Sequence, residues 1–189
     1  ARGAYVSLVH LARECGFNPS TTPFTMAGIG DMSGDVFGNG LLQSPHTKLV
    51  AAFNHSHIFI DPTPHAAISF AERQRLFALP KSNWSDYNRK LISEGGGVFA
   101  RSPKKISLSI EMKTVLATEV DTMTADELIS AILQMPVDVL WNGGIGTYVK
   151  SSDENHHDVG DRTNDSVRVN GNQLRARIVC EGGNLGLTQ

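Results

Sequence analysis

Three short stretches of this chain pair glycine with small polar side chains directly after an apolar run. The first is Phe24-Thr-Met-Ala-Gly-Ile-Gly-Asp-Met-Ser-Gly-Asp-Val-Phe-Gly-Asn-Gly40. Gly28-x-Gly30 supplies a turn that a side chain would obstruct, and the segment from Ser33 can open a helix whose free N–H groups face an anion. That is a way to bring backbone close to the phosphates of a dinucleotide. The second stretch is Asn142-Gly143-Gly144 and the third is Glu181-Gly182-Gly183-Asn184. A glycine pair after one strand is common in proteins that bind nothing there. Three such ends, two with asparagine amides able to orient a ligand, read as the floor of one crevice, because open parallel sheets bind ligands beyond the carboxyl ends of their strands.

The surrounding pattern supplies elements to hold those ends. Residues 3–15 are helix-compatible and stop at Gly16, and Phe24–Ala27 can form a buried strand. A helix is expected from Ser33 to Leu42, although Gly34, Gly38 and Gly40 each disfavour it by roughly 1 kcal/mol. Such glycines imply a need for small residues, for packing on a strand or for room beside a ligand. Lys48–Phe53 is nearly unbroken apolar sequence, as expected of a parallel strand covered on both faces. Strand, turn, helix and strand make one βαβ unit. Farther on, residues 66–78 look helical up to Pro80, and 81–105 read as a long ordered excursion. Thr124-Ala-Asp-Glu127 is a capping box opening a helix that buries Leu128, Ile129, Ile132 and Leu133 and ends at Pro136. Val137–Trp141 follows as a strand, 151–166 as a polar surface loop and Leu174–Val179 as a last strand. The fold class expected is α/β: a Rossmann-like, doubly wound, mostly parallel sheet with helices on both faces.

Composition narrows the alternatives. With 189 residues, 40% hydrophobic and 19% charged, the chain has ample material for a core. A net charge of -2 and a pI near 6.4 argue against a nucleic-acid partner. No stretch approaches the roughly 18 apolar residues of a membrane span, so no membrane partner is expected. Cys15 and Cys180 are too few for a disulfide framework and read as reduced, packed thiols of a cytoplasmic protein. The Ala1 start and abrupt Gln189 end suggest a piece of something longer.

At the level of whole strings, the sequence resembles the large bacterial NAD-specific glutamate dehydrogenases. The resemblance lies in residues 28–40, in Ser69-Phe-Ala-Glu-Arg-Gln-Arg-Leu-Phe77, in Trp141-Asn-Gly-Gly-Ile-Gly-Thr-Tyr148 and in Glu181-Gly-Gly-Asn-Leu-Gly-Leu-Thr-Gln189. It implies that residues 1–189 are a single dinucleotide-binding domain excised from a larger multi-domain chain, whose full-length form is a homo-oligomer. Such an enzyme converts L-glutamate to 2-oxoglutarate and ammonium, with hydride passing to NAD. Carried over, Gly28, Gly30, Ser33 and Gly34 would face the pyrophosphate, and Asn142, Gly143 and Gly144 the middle of the cofactor. Gly183 and Asn184 would lie near the nicotinamide. The lysine and aspartate that do the chemistry in this family have no counterpart strings here, so the segment should bind cofactor and turn nothing over alone.

Two departures bear on specificity. Ser33 stands where the fingerprint has its third glycine, with Gly34 one place later. Asn54 occupies the strand-end position where an acid usually holds the adenosine ribose, with His55, His57 and Lys48 as cations that would tolerate a 2′-phosphate. Asp31 beside a phosphate site should point away or cap backbone N–H groups. Other features carry a plainer reading beside a functional one. His55-x-His57 and His156-His157-Asp158 are metal-like pairs or solvated loops, and Lys104-Lys105 is a phosphate contact or a solvated pair. Arg73 and Arg75 read as a charged helix face. Trp84 and Tyr87 stack a base or anchor a loop, and Glu94-Gly-Gly-Gly97 is a hinge or a turn. Two competing classes remain: a methyltransferase using S-adenosylmethionine, and a non-catalytic nucleotide-sensing or assembly domain.

Overall fold

Helix α1 (Arg2–Glu14) leads into strand β1 (Phe24–Ile29), helix α2 (Asp35–Leu41), strands β2 (Thr47–Phe53) and β3 (His57–Ile60), and helix α3 (Ala66–Ala78). The structure, a computed structural model, describes residues 1–144, 146–183 and 185–188. Strands β4 (Gly97–Ala100) and β5 (Ile106–Ser107), helix α4 (Ile110–Leu116), strand β6 (Thr122–Met123), helix α5 (Ala125–Leu133) and strand β7 (Val139–Asn142) follow. Strand β8 (Val149–Lys150), helix α6 (His156–Val159) and strands β9 (Val169–Asn170) and β10 (Ile178–Glu181) complete the order.

The main sheet runs β10-β7-β1-β2-β3-β4. Its first four strands are mutually parallel, and β3 and β4 extend it in antiparallel fashion. After β1 the chain crosses by α2 to β2 on one side, and it later returns by α5 to β7 on the other. The boundary between β1 and β7 is therefore the point where connections diverge, and a crevice opens there.

Strand alternation sends side chains to two cores. Ala27, Ile29 and Leu140 face the core that α5 covers with Leu128, Ile129, Ile132 and Leu133. Met26, Val139 and Trp141 face the core built with Leu8 of α1, Phe37 and Leu41 of α2 and Leu76 of α3. Helices thus lie on both faces of a mostly parallel sheet, a Rossmann-like α/β arrangement. Each large apolar side chain so buried contributes roughly 1.5–3 kcal/mol. Helix α5 starts at the capping box: the Thr124 hydroxyl accepts from the Glu127 N–H at 3.2 Å, and the Glu127 carboxylate accepts from the Thr124 N–H at 2.7 Å.

Several boundaries differ from the sequence reading. Strand β1 continues through Gly28 and Ile29, so Gly28 lies in the strand and the turn begins at Gly30. Helix α2 opens at Asp35, two residues late, because the Asp31 carboxylate takes the N–H groups of Ser33 and Gly34 in a turn ahead of it. Strand β10 begins at Ile178, not Leu174. The preceding residues form a 3₁₀ turn at Gly171–Gln173, and the Arg175 guanidinium reaches the carbonyls of Gln134 and Leu116. Within 81–105, Gly97–Ala100 joins the main sheet as edge strand β4. Among the described residues, no helix is long and apolar enough to cross a membrane.

Candidate functional site

The ends of β2, β1, β7 and β10 stand in one row, with Phe53 opposite Ile29, Ile29 opposite Asn142 and Asn142 opposite Glu181. Backbone bonds lace the turns beyond them. The Gly30 N–H donates to the Phe53 carbonyl at 2.8 Å, Gly143 N–H to Ile29 at 2.9 Å and Gly182 N–H to Asn142 at 3.0 Å. The three glycine turns therefore open on the same edge of the sheet.

A cleft of about 370 Å³ lies between the first two turns, and no residue of the third lines it. Ile29, Gly30, Asp31 and Gly34 form one wall, Gly143, Gly144 and Tyr148 another, and Asn54 with His55 closes one end. This size is within the range of small-molecule sites. Another groove of similar volume, along Ile110, Lys113 and Glu119, contains none of the strand ends.

The buried Phe37 ring explains the glycines of the wall. It packs so closely over Gly28 that no Cβ fits there, and a Cβ at Gly30 or Gly143 would stand 2.7 or 2.8 Å from the Phe37 Cβ. Gly28 consequently faces Phe37 and not the cleft, which corrects its expected place against the ligand. Gly30 adopts φ +139°, a left-handed conformation that side chains resist. Its carbonyl accepts a 2.9 Å hydrogen bond from the Trp84 indole N–H. Trp84 is buried and stacks on Phe59 with centroids 4.9 Å apart, so it anchors the turn and is closed to a base.

Asp31 caps the segment before α2. Its Oδ1 accepts from the Ser33 hydroxyl at 2.6 Å and from the N–H groups of Ser33 and Gly34 at 3.1 and 3.0 Å. Ser33 is thereby turned to its own neighbour. Asn54 is committed to the turn between β2 and β3. Its Oδ1 accepts from Ser56 and His57 N–H at 2.9 and 2.8 Å, and its Nδ2 donates to Asn83 at 3.0 Å and to Asp31 at 3.4 Å. Lys48 is five residues before Phe53 on β2, about 16 Å away at the other end of the sheet, and is no part of this cleft.

Asn142 is buried and its side-chain oxygen accepts from the Gly144 N–H at 3.3 Å, which orders the second turn. Gly183 lies against the Gly144 carbonyl, too close for a side chain. Asn184, expected near the nicotinamide, lies outside the described residues. Asp31 caps backbone N–H groups as the sequence suggested, Trp84 takes the anchoring one of its two readings, and Tyr148 is the cleft residue that the sequence reading left unassigned. Nearness to the strand ends was the available signal for Tyr148. Arg73 is fully buried under the sheet edge, which corrects its reading as a charged face. Burial also pushes the Cys180 thiol up to about 11, so it carries little thiolate at neutral pH.

A doubly wound sheet with glycine turns gathered at its switch point defines a Rossmann-like type of α/β architecture. The sequence profile described as the catalytic domain of bacterial NAD-glutamate dehydrogenase matches residues 1–189, and the chain belongs to that family. It is 60% identical over 189 residues to the NAD-specific glutamate dehydrogenase of Pseudomonas aeruginosa. It is 57% identical to the enzymes of the same name from Halomonas elongata, over 189 residues, and Mycobacterium tuberculosis, over 194. Each match covers 100% of this chain and 12% of the relative, so the chain spans about one eighth of their length.

Proposed function

We propose that residues 1–189 are the NAD-binding domain of a much larger glutamate dehydrogenase chain. The carrying observation is the single row of strand ends, Phe53, Ile29, Asn142 and Glu181, with the glycine turns after β1 and β7 opening into one cleft. The fit to a dinucleotide rests on the backbone: Gly30, Gly143 and Gly144 present peptide groups without side chains in front of them. In this reading Gly30 and Gly34 admit the pyrophosphate, while Gly143 and Gly144, with Asn142 ordering their turn, pass beside the middle of the cofactor. Gly183 and Asn184 serve the nicotinamide end. Ser33 and Gly34 N–H groups become available only where Asp31 swings aside. When bound, NAD accepts the hydride removed from the L-glutamate α-carbon as 2-oxoglutarate and ammonium form. The residues here position and exclude water; proton transfer falls to the rest of the chain, and this segment alone is inactive.

The test is a fluorescence titration of the full-length chain with NADH, set beside calorimetry with S-adenosylmethionine. The expected result is saturable NADH binding that substitution of the Gly30 turn removes. Binding of S-adenosylmethionine alone, or of no nucleotide by a folded chain, overturns the proposal.

Asn54→Asp separates ribose reading from turn building. The new carboxylate still accepts from Ser56 and His57, but it loses the Asn83 contact and meets Asp31 at the position of a 3.4 Å neighbour. Thermal unfolding should show a loss of about 1–3 kcal/mol, together with a further shift of preference from NADP toward NAD. A variant as stable as the parent would contradict the role given to Asn54 in the turn.

A further inference from the structure

We propose that Arg101 and Asp126 form the charge pair that sets cofactor preference at the adenosine end of the cleft: Arg101 reaches the ribose, and Asp126 offsets its charge so that a 2′-phosphate gains little. The inference rests on the NAD-binding reading above.

The end of β2 is where dinucleotide folds read the adenosine ribose, usually with an acid that repels a 2′-phosphate. Here that place carries Asn54, His55, Ser56 and His57. The nearby Asp31 has one carboxylate oxygen spent on Ser33 and Gly34. Arg101 comes to the same turn from the end of β4. Its N–H donates to the Ser56 carbonyl at 3.0 Å, and its guanidinium Nη1 to the Asn54 carbonyl at 3.3 Å. Left to itself, a half-buried guanidinium clamped to this turn would favour the phosphorylated cofactor, since arginine pairs with phosphate through two prongs.

Asp126 supplies the opposing charge. It sits in the first turn of α5, on the other face of the sheet, and its Oδ1 lies 3.4 Å from Arg101 Nη2. The Arg101 side chain is 27% exposed and the Asp126 side chain 45%; neither lines the cleft, and Arg101 borders it through Asn54. Two of the five guanidinium N–H donors are engaged with described residues, and the other three have no partner among them. Asn54, whose carbonyl Arg101 holds, closes one end of the cleft, which puts the cation behind that end.

The experiment measures Kd for NADH and NADPH with the full-length chain and its Arg101 and Asp126 variants. Asp126→Asn should lower the NADPH-to-NADH Kd ratio about fivefold, by unmasking the cation, with the change shrinking at high salt. Arg101→Ala should move the ratio the other way, Arg101→Lys should restore it in part, and adding Asp126→Asn to Arg101→Ala should change nothing more. Lys48→Ala, at the far end of β2, should leave the ratio alone. A ratio unmoved by Asp126→Asn, or equal weakening of both cofactors by Arg101→Ala, overturns the pair as a determinant and leaves Arg101 a clamp on the turn. Absence of NADH binding by the parent chain overturns the reading of the cleft itself, and this inference with it.

Discussion

Gly30→Val is expected to abolish NADH binding by the full-length chain while the far-UV spectrum keeps its shape. The residue lies where φ is +139°, and its new Cβ would stand 2.7 Å from Phe37 Cβ and 2.8 Å from Phe37 Cγ. Relaxation is blocked on both sides. The Gly30 N–H is tied to the Phe53 carbonyl at 2.8 Å, and its carbonyl is held by the Trp84 indole at 2.9 Å. The strain amounts to about 1–3 kcal/mol, enough to lower the thermal midpoint without unfolding the sheet. The larger effect falls on the cleft, because Phe37 also roofs Gly28 and Gly143. Pushing that ring outward moves two of the three turns together. Trp84→Phe is the milder companion: it adds no bulk, removing the indole donor and part of the buried ring, so NADH affinity should fall severalfold with the aromatic stack kept. NADH affinity within twofold of the parent in Gly30→Val would take the turn out of the site.

The parts of this fold that were legible in sequence are those marked by both an apolar run and punctuation. The β1 turn and β2 show a buried run on each side of glycines. Helix α5 announces itself through Thr124 and Glu127 at one end and Pro136 just past the other, and the structure closes that box as expected. Strands β3 and β4 are four residues each, too short for a period to register, and their hairpin partner was masked by reading Asn54 as a ligand contact. Asn54 belongs to that hairpin's turn, where its oxygen does the work of a backbone carbonyl. Lys48 was misjudged for a simpler reason: nearness in sequence to the strand end is not nearness in space when the strand itself intervenes. The convergence of the turns followed from a rule about parallel sheets, but the row joining Phe53, Ile29, Asn142 and Glu181 depends on register, which no single segment encodes.

Arg73 illustrates the same limit more sharply, and removing it is expected to have the largest effect on stability. In Ser69-Phe-Ala-Glu-Arg-Gln-Arg75 nothing local separates Arg73 from Arg75, yet Arg75 stays half exposed and pairs with the buried Glu72 while Arg73 is fully buried. What decides between them lies elsewhere in the chain. Arg73 donates to Ser69 Oγ at 2.9 Å and, across to β2, to the Thr47 carbonyl at 3.1 Å. The buried Asp61 feels its charge through space without pairing with it: one Asp61 oxygen is held by Ser93, and the other, like Arg73 Nε, has no partner among the described residues. Burial lowers Arg73 to about 10, still charged at neutral pH. Burial likewise raises Asp61 above its ordinary 3.8, against the pull of Ser93, Thr63 and Arg73.

Arg73→Met fills much of the same volume but removes the donor to Thr47 and Ser69 and the nearby positive charge that favours the Asp61 carboxylate. Denaturant unfolding should register a loss of about 3–5 kcal/mol, from two hydrogen bonds donated by a charged group and a buried carbonyl left unpaired. The sign of its pH dependence follows from Asp61. With a folded value above the unfolded one, the carboxyl favours the folded state when protonated, and that favour is lost as pH rises through the folded value. Loss of Arg73 raises the folded value further. The deficit of Arg73→Met relative to the parent should therefore be largest at neutral pH and shrink on acidification toward 3.8. Adding Asp61→Asn removes the stranded charge and should recover part of the stability, with little remaining pH dependence in the difference. A double variant no more stable than Arg73→Met, together with a pH-independent deficit, would mean that the guanidinium acts through Thr47 and Ser69 alone, with the carboxylate a bystander.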